Sequence, residues 1–318
     1  MLCSLSRRKP LARRSRVLVT GGGGFIGSAL VEALAALDVP LNVLAGAPGD
    51  AVREPPQNVT AYRAEITDFN AICAAAAGCD VVVHMAGPPS VQASFEAPER
   101  YARIHVAGTA TVLDACWKAN VKRIVYISSA EIYGRAATQP VAETQTPDPR
   151  SPYAAAKLGA EHMVRAFANT FEISARIIRP FSVYGPGQQS YALIPTIVRQ
   201  ALTADAIVLS DLTPVRDYCY VSDLIDAILL ACDLETSGLA VFNIGSGSGT
   251  SVLHLAEAIL ARVRRKIPIL TTAGEGRPKM AEIYALIADI GHANEILGWM
   301  PRTPLSVGLQ NVVTKMTA

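Results

Sequence analysis

The sequence lacks a long hydrophobic run: none of its apolar stretches approaches the roughly 20 residues that a helix needs to cross a bilayer. It also lacks the apolar segment of a secretory signal. Its six cysteines have no C-x-x-C spacing, and its five histidines are dispersed without an H-E-x-x-H motif. These absences predict a cytoplasmic protein with reduced cysteines, no metal site and no membrane partner.

Charge is also scarce, since charged residues make up 18% of the chain and the formal net charge is +2. Much of the positive charge lies near the N-terminus, at Arg7, Arg8, Lys9, Arg13, Arg14 and Arg16. The remainder is slightly acidic, which argues against a nucleic-acid partner. We expect residues 1–15 to form a solvated, poorly ordered tail.

Apolar residues make up 50% of the 318 residues, which is enough for a sizeable core. As far as residue 180, short apolar or β-branched runs alternate with helical patterns. The runs are RVLVT, LNVLA, VTAYRA, DVVVHMA, VKRIVYISS and ISARIIR. This alternation predicts a Rossmann-like α/β fold, with a doubly wound parallel sheet between helices. Later stretches such as LSDLTPVRDYCY are rich in Gly, Pro, Arg or Asp and predict a smaller, loop-rich C-terminal lobe.

Residues 17–30, VLVTGGGGFIGSAL, place four consecutive glycines between a predicted strand and a predicted helix. Gly22, Gly24 and Gly27 spell G-x-G-x-x-G, whereas Gly21, Gly24 and Gly27 spell G-x-x-G-x-x-G. In this context, glycines let the backbone approach a dinucleotide pyrophosphate at a helix N-terminus. The alternative is a tight turn that binds nothing. The order of strand, loop and helix favours the dinucleotide.

A carboxylate at the end of the second strand would indicate NAD, because it hydrogen-bonds the adenosine ribose and disfavours a 2′-phosphate. Here Ala45 and Gly46 occupy the strand end, the first acid is Asp50, and the nearest arginine is Arg53. The preference for NAD or NADP is therefore weakly encoded, and we favour NAD.

A second group of candidate residues lies in ISSAEIYG and SPYAAAK. Ser151 and Pro152 suit a helix start, so Tyr153 and Lys157 should share one face of that helix. A tyrosine titrates near pH ~10, but a nearby ammonium lowers that pKa and favours a phenolate base. Ser129, at a strand end, is placed to bind the same substrate hydroxyl. The alternative is a buried aromatic residue beside a surface lysine.

From residue 16 to about residue 310 the chain resembles the extended short-chain dehydrogenases/reductases and, within them, the NAD-dependent nucleotide-sugar epimerases and dehydratases. TGGGGFIG resembles the family's glycine loop, VVHMAG its fourth strand, and ISSAEIYG with YAAAK its catalytic pair. RPFSVYGPG, VRDYCYVSD, FNIGSG and ILGWMP resemble later landmarks in the same order. The resemblance favours the frame of Gly21, Gly24 and Gly27, and leaves Gly22 as a permissive spacer.

The resemblance implies that Tyr153 is the base, that Lys157 binds the nicotinamide ribose and tunes Tyr153, and that Ser129 completes a triad. It gives Glu131 two interpretations, a residue acting near the sugar ring or a glutamate at the pocket rim. The implied cofactor-binding residues, besides Tyr153 and Lys157, are Thr20, Gly21, Gly24, Phe25, Ile26, Gly27, Glu65, Ile66, His84, Ala86, Gly87, His105 and Pro180. The implied substrate-binding residues are Ser90, Ser129, Glu131, Ser182, Arg216, Tyr218 and Arg277.

The implied organisation is a dinucleotide-binding domain over residues 16–180 and a mainly sugar-nucleotide-binding lobe over residues 181–318, with an interleaved boundary. The implied activity is that of a UDP-hexose 4-epimerase, in which hydride leaves sugar C4 for NAD and returns to the other face of a 4-keto intermediate. Alternatives are a 4,6-dehydratase, a 4-ketoreductase and a non-catalytic dinucleotide-binding protein. A homodimer formed by helices near residues 96–119 and 151–170 is typical of the family.

Several positions depart from the family pattern. The usual second-strand Asp is Ala45, the Asn of the long helix is His105, the Asn of R-x-x-N-x-Y-G is Ser182, and the Asp after R-P-x is Met280. Ala45 leaves the cofactor open, and Ser182 and Met280 leave the sugar nucleotide open. Ala130 stands where one dehydratase group has a proton-donating Asp, which weakens the dehydratase interpretation without excluding it.

Overall fold

The computed structural model describes residues 15–46, 58–171, 173–272 and 278–317. The predicted basic tail therefore lies outside the described residues except for its last one, and Asp50, Arg53 and Arg277 also lie outside them. No helix in the described ranges is long and apolar enough to cross a membrane. The same ranges contain no cluster of side chains suited to hold a metal ion.

Strands and helices alternate along the chain. The strands are β1 (Val17–Thr20), β2 (Leu41–Ala45), β3 (Val59–Arg63), β4 (Val81–His84), β5 (Arg123–Ile127), β6 (Ser174–Pro180), β7 (Ser182–Tyr184), β8 (Ile207–Leu209), β9 (Val215–Tyr220), β10 (Leu239–Ile244), β11 (Gly249–Ser251), β12 (Ile269–Thr271) and β13 (Ala285–Leu286). The α-helices are α1 (Phe25–Ala36), α2 (Phe69–Ala76), α3 (Val91–Glu96), α4 (Pro98–Ala102), α5 (Gly108–Lys118), α6 (Pro152–Thr170), α7 (Leu193–Thr203), α8 (Val221–Asp233), α9 (Val252–Val263) and α10 (Leu305–Thr317).

The chain divides into two compact units, each assembled from three segments. Unit 1 comprises residues 1–128, 151–178 and 225–242. Unit 2 comprises residues 129–150, 179–224 and 243–318. The chain therefore passes repeatedly from one unit to the other, and residues 129–150 belong to unit 2 although they precede residue 180.

A seven-stranded sheet with the order β10-β6-β5-β4-β1-β2-β3 forms the centre of unit 1, although the last residues of β6 and β10 belong to unit 2. β1 is parallel to β2 and β4, β2 to β3, and β5 to β4 and β6. β1, β2 and β4 are buried along their whole length, because strands of a helix-flanked parallel sheet are covered on both faces. The Rossmann-like α/β fold predicted from the alternation is confirmed.

The helix expected near residues 96–119 is interrupted in the structure. A π-helical turn, Arg103–Ala107, connects α4 to α5, and the N–H of Gly108 donates to the carbonyl of Arg103 five residues earlier. Such a turn accommodates one extra residue within a helix. The apolar pattern does not reveal it, because residues on both sides remain helical.

Unit 2 contains a four-stranded sheet in which β9 is central and pairs with β7, β11 and β13. The loop predicted over LSDLTPVRDYCY was wrong at its second half, which forms β9. Asp217 is fully buried within this strand, and its carboxylate accepts hydrogen bonds from the backbone N–H groups of Ser246, Gly247 and Ala288 at 2.5, 2.9 and 3.1 Å. These hydrogen bonds compensate the cost of burying the Asp217 charge. In the sequence alone, an aspartate at this position is typical of a loop.

Candidate active site

The loop between β1 and α1 brings two backbone segments into close contact. A Cβ on Gly27 would lie 2.1 Å from the Gly21 carbonyl oxygen and 2.8 Å from the Gly22 Cα. Gly21 has a φ of +76°, and a Cβ there would lie 2.8 Å from the Cα of Ala86. Because these neighbours are backbone atoms that cannot move aside cheaply, Gly21 and Gly27 both require glycine.

The prediction that Gly22 is a permissive spacer was wrong. A Cβ on Gly22 would lie 2.4 Å from Cγ1 of Val43, a buried and β-branched side chain on β2. A Cβ on Gly23 would instead meet only the Cβ of Ala45, at the ordinary contact distance of 4.0 Å. Gly23 therefore has room for a side chain, and a Cβ on Gly24 would likewise meet only the Gly21 carbonyl oxygen, at 3.4 Å.

The N-terminus of α1 fits the pyrophosphate of a dinucleotide. Gly24 is its N-cap, no side chain caps the helix, and its first turn contains no acidic residue. Phe25 and Ile26, which begin α1, are half-buried. A helix N-terminus with exposed amide groups attracts an anion, and the close glycine backbone leaves space for it.

A buried chain of hydrogen bonds fixes the strand ends beside this loop. Thr20 Oγ1 lies 2.7 Å from His84 Nδ1, and His84 Nε2 lies 2.9 Å from Thr109 Oγ1. The N–H groups of Met85 and Ala86 donate to Thr20 Oγ1 at 3.3 Å. Burial lowers the pKa of His84 to about 3, with a smaller contribution from the Lys157 charge. His84 is therefore neutral and holds the ends of β1 and β4 together.

Helix α6 begins as the sequence predicts and carries Tyr153 and Lys157. The hydroxyl of Ser151 accepts a hydrogen bond from the N–H of Ala154 at 3.1 Å, and Pro152 occupies the first turn. Tyr153 is 9% exposed and Lys157 is 4% exposed, so the interpretation as a surface lysine does not hold.

The ammonium group of Lys157 lies against the end of β5. Its Nζ donates to the Ile127 carbonyl at 2.7 Å and lies 5.2 Å from the centre of the Tyr126 ring. Burial lowers the pKa of Lys157 to about 7, while the carboxylate of Glu161, fully buried one turn further along α6, raises it. A proton on Lys157 at neutral pH therefore depends on nearby negative charge.

The other cofactor-site candidates lie mostly at strand ends in unit 1. Glu65 and Ile66 follow β3, the first exposed and the second buried. His105 lies in the π-helical turn and is 2% exposed. Pro180, the last residue of β6, belongs to unit 2.

Ser90, a substrate candidate, lies in unit 1. Its hydroxyl caps α3 by accepting a hydrogen bond from the N–H of Ala93 at 3.1 Å.

Four of the predicted substrate residues line one pocket of about 290 Å³ in unit 2: Glu131, Ser182, Arg216 and Tyr218. The parallel register of β7 and β9 places Ser182 beside Tyr218. Arg216 and Tyr218 are two residues apart on β9, so both side chains lie on the same face of the strand. These four predicted residues thus lie at one pocket, although the sequence did not reveal β9 itself.

The pocket also contains residues that the sequence did not single out. Glu282 lines it and forms an ion pair with Arg216, whose Nη2 lies 3.1 Å from Oε1. Gln188, Ser210 and Asp211 line it as well. Met280, which stands where the family pattern has Asp, is 72% exposed. The acid that pairs with Arg216 therefore lies two residues after Met280.

The four predicted catalytic residues belong to different units. Tyr153 and Lys157 lie in unit 1, whereas Ser129 and Glu131 lie in unit 2. Ser129 is 8% exposed, and its hydroxyl accepts a hydrogen bond from the N–H of Glu131 at 3.2 Å.

Comparison with known proteins identifies the family. Residues 17–245 match the profile described as the NAD dependent epimerase/dehydratase family. The chain belongs to this family. NAD is accordingly its cofactor, as the sequence predicted, and the chain is an enzyme of the epimerase/dehydratase class.

Relatives of known name span almost the whole chain. A UDP-glucose 4-epimerase of Mycolicibacterium smegmatis is 31% identical over 309 residues, which cover 94% of this chain and 97% of the relative. The mouse dTDP-D-glucose 4,6-dehydratase is 28% identical over 315 residues, covering 94% and 87%. The solved structure of MoeE5 in complex with UDP-glucose and NAD is 30% identical, with a TM-score of 0.87 and coverage of 95% and 99%. Epimerases and dehydratases both occur among these relatives.

The glycine loop allows a matched test of NAD binding. We expect Gly27→Ala to weaken NAD binding by about tenfold or more, because the added Cβ displaces the Gly21 carbonyl and opens the cradle. Gly23→Ala, the control, should bind NAD within about twofold of the wild type, since its Cβ meets no close neighbour. Calorimetric titration with NAD measures both. Wild-type affinity in Gly27→Ala would contradict the role of this loop as the pyrophosphate cradle.

The pKa of Lys157 predicts a pH-dependent stability. The folded value is about 7, and the unfolded value is about 10.4. Between these values the unfolded chain holds a proton that the folded chain lacks, so this group makes the wild type more stable as pH rises. Relative to Lys157→Met, the wild type should therefore gain on the order of 3 kcal/mol from pH 7 to pH 10.

Urea unfolding of the wild type and of Lys157→Met at several pH values measures this difference. Lys118→Met is the control, because Lys118 forms an exposed ion pair with Asp114 and its removal should change the free energy of unfolding almost equally at every pH. A pH-independent difference between the wild type and Lys157→Met would show that Lys157 keeps an ordinary pKa.

Proposed function

We propose that the protein is an NAD-dependent nucleotide-sugar 4-epimerase that acts on a UDP-hexose through a 4-keto intermediate. The observation that carries the proposal is the unit 2 pocket, where Glu131, Ser182, Arg216 and Tyr218 come together. The related UDP-glucose 4-epimerase and the UDP-glucose bound to MoeE5 support the uridine nucleotide and the hexose.

The chemistry of the pocket suits a nucleoside diphosphate sugar. The planar guanidinium of Arg216 can donate two parallel hydrogen bonds to phosphate oxygens, and Ser182 and Tyr218 add hydroxyl groups beside it. Glu282 now accepts a hydrogen bond from Arg216, so it holds the guanidinium in place before a phosphate arrives. Arg277, outside the described residues, would supply a second cation.

We assign the proton transfer to Tyr153, and the residue that the family resemblance adds to it in the triad is Ser129. Lys157, four residues later on one helix face, stabilises the phenolate of Tyr153 by its positive charge. In turn, a phenolate nearby favours the protonated form of Lys157, whose pKa burial has lowered to about 7. The two protons are thus linked, and the Ile127 carbonyl keeps the Lys157 ammonium in place.

Bound NAD would supply the hydride acceptor for the sugar carbon and return the hydride at the end of the reaction. The glycine loop and the α1 N-terminus would hold its pyrophosphate. The residues proposed to bind the rest of the cofactor are those given by the family resemblance, including Ile66, Gly87 and Lys157.

A 4,6-dehydratase is the second candidate, because Glu131 lines the pocket and a 4,6-dehydratase is among the relatives. Dehydration needs a proton for the departing hydroxyl. The residue before Glu131 is Ala130, which is buried and has no proton to give, and this favours the epimerase.

We further propose a homodimer formed through the outer faces of α5 and α6. Trp117 on α5 is 48% exposed, and its ring centre lies 5.1 Å from that of Phe171. Small exposed side chains on α6 would let two helices approach closely, and exposed aromatic groups beside them favour burial against a second copy. The exposed positions that recur on one face of α6 are Ala155, His162, Ala166 and Asn169, of which the two alanines are small.

The cytoplasmic location stays a prediction.

The activity is tested by incubating the purified protein with UDP-, GDP- and dTDP-hexoses, followed by chromatography and NMR of the products. We expect inversion at C4 of a UDP-hexose without net consumption of NAD. Tyr153→Phe should lower kcat by about 100-fold or more, because it removes the proton-transfer group. Tyr191→Phe, the control, changes a tyrosine that is 62% exposed and should leave kcat unchanged.

The products separate the alternatives. A 4-keto-6-deoxy sugar would replace the epimerase with a dehydratase, and consumption of reduced cofactor would indicate a ketoreductase. Equal absence of turnover in the wild type and in Tyr153→Phe would contradict an enzymatic role for this site.

The dimer is tested with Ala166→Arg, which places a charge on the proposed contact face. Light scattering after size-exclusion chromatography should give two copies for the wild type and one for the variant, because an unpaired charge is costly to bury. Ala36→Arg, at an exposed position on α1, is the control and should stay dimeric. A monomeric wild type would refute the dimer.

A further inference from the structure

Three aromatic rings meet in unit 1 around the proposed base. The His105 and Tyr153 ring centres lie 5.6 Å apart with an angle of 80° between the ring planes. Tyr101 and Tyr153 lie 6.2 Å apart at 84°, and Tyr101 and His105 lie 5.8 Å apart. These are edge-to-face distances at which aromatic pairs attract and prefer one mutual orientation. Two neighbouring rings therefore restrict the orientation of Tyr153.

Both neighbouring rings are tied to the loop that follows β4. His105 Nε2 lies 3.2 Å from the Pro88 carbonyl oxygen, and the Tyr101 hydroxyl donates to the Ser90 carbonyl at 2.6 Å. A carbonyl oxygen only accepts, so Nε2 carries the proton of the neutral imidazole. The hydrogen bond thus fixes both the tautomer and the rotation of the His105 ring.

The backbone around His105 is shaped to admit a ring. A Cβ on Gly87, whose φ is +143°, would lie 2.3 Å from His105 Cε1 and 2.6 Å from Nδ1. Glycine at residue 87 therefore makes space that the imidazole fills. On the other side, the π-helical turn carries His105 between α4, which bears Tyr101, and α5.

His105 also adds no charge beside Lys157. Burial, with a smaller contribution from the Lys157 charge, lowers the pKa of His105 to about 2, so the ring is neutral. A charged imidazole would compete with Lys157 for the phenolate, whereas a neutral one acts through shape and ring contact. The role of His105 is thus separable from proton transfer.

We propose that His105 is a positioning residue, an aromatic wall that holds the Tyr153 ring in the orientation needed for proton transfer. The usual asparagine of the resembled family has no ring, so this contact depends on the histidine at residue 105. The inference rests on the proposed role of Tyr153 as the base. It assigns the ring of His105, and not its N–H group, as the part that matters for turnover.

Two substitutions separate the ring from the N–H group. His105→Phe keeps a ring and loses the donor to Pro88, whereas His105→Gln keeps a donor and loses the ring. We expect His105→Gln to lower kcat by about tenfold to 100-fold with KM changed less than about threefold, since misorientation affects the reacting step. His105→Phe should retain kcat within about threefold of the wild type. Thermal unfolding confirms that each variant is folded.

His254→Gln is the matched control, because His254 is an exposed residue of α9 in unit 2 and its imidazole bonds the Ser251 cap of its own helix. It should leave kcat and KM unchanged. Equal loss of kcat in the Gln and Phe variants would show that kcat depends on the hydrogen bond to Pro88 or on the volume of the side chain, and not on the ring. That result, or wild-type kcat in His105→Gln, would overturn the proposal.

NMR with ¹³C-labelled tyrosine tests the contact without any turnover. The Tyr153 signal, identified by its loss in Tyr153→Phe, should shift and broaden in His105→Gln and stay near its wild-type position in His105→Phe. If the wild type turns over no nucleotide sugar but the NMR result holds, the proposed function fails and the ring contact stands. If turnover is found and His105→Gln leaves the Tyr153 signal unchanged, the positioning role fails instead.

Discussion

The buried ammonium group of Lys157 determines how α6 packs against the central sheet of unit 1. Lys157 is 4% exposed and gives a hydrogen bond to the last carbonyl of β5, so α6 must lie against that strand end. Transfer of a cation from water into such a place is unfavourable unless other groups compensate it. The Ser151 cap and Pro152 begin the helix at the residue that brings Lys157 to this position. Burial of Lys157 therefore lowers the stability of the fold, and it places a positive charge one helical turn from Tyr153.

Unit 2 contains the opposite case, a buried acid with several hydrogen-bond donors around it. The Asp217 carboxylate anchors β9 through the backbone N–H groups of two other segments. Residues on either side of Asp217 on β9, Arg216 and Tyr218, then lie on the opposite face and line the pocket. A shift of β9 by one residue would exchange these two faces. The Asp217 hydrogen bonds therefore secure the pocket as well as the strand.

Much of this could be predicted from the sequence, because the signals were local. The glycine loop, the start of α6 and the buried strands follow from spacing and hydrophobicity within short windows. β9 was missed because an aspartate within it becomes acceptable only through donors distant in sequence. The buried state of Lys157 and the role of Gly22 depend on β5 and β2, which the pattern of a single segment does not reveal. Glu282 was missed for the same reason, since only the folded chain brings it to Arg216.

The π-helical turn at Arg103–Ala107 makes the length of this helical region as important as its composition. One residue more or fewer in an α-helix rotates everything beyond it by about 100°. Loss of a single codon here would restore regular helical hydrogen bonds, and local helix stability would rise. The same deletion would turn Tyr101 away from the rings it now contacts. The helix would become more regular, but the contacts of Tyr101 with the other two rings would be lost. The conformation that is most stable for the helix therefore differs from the one that the site requires.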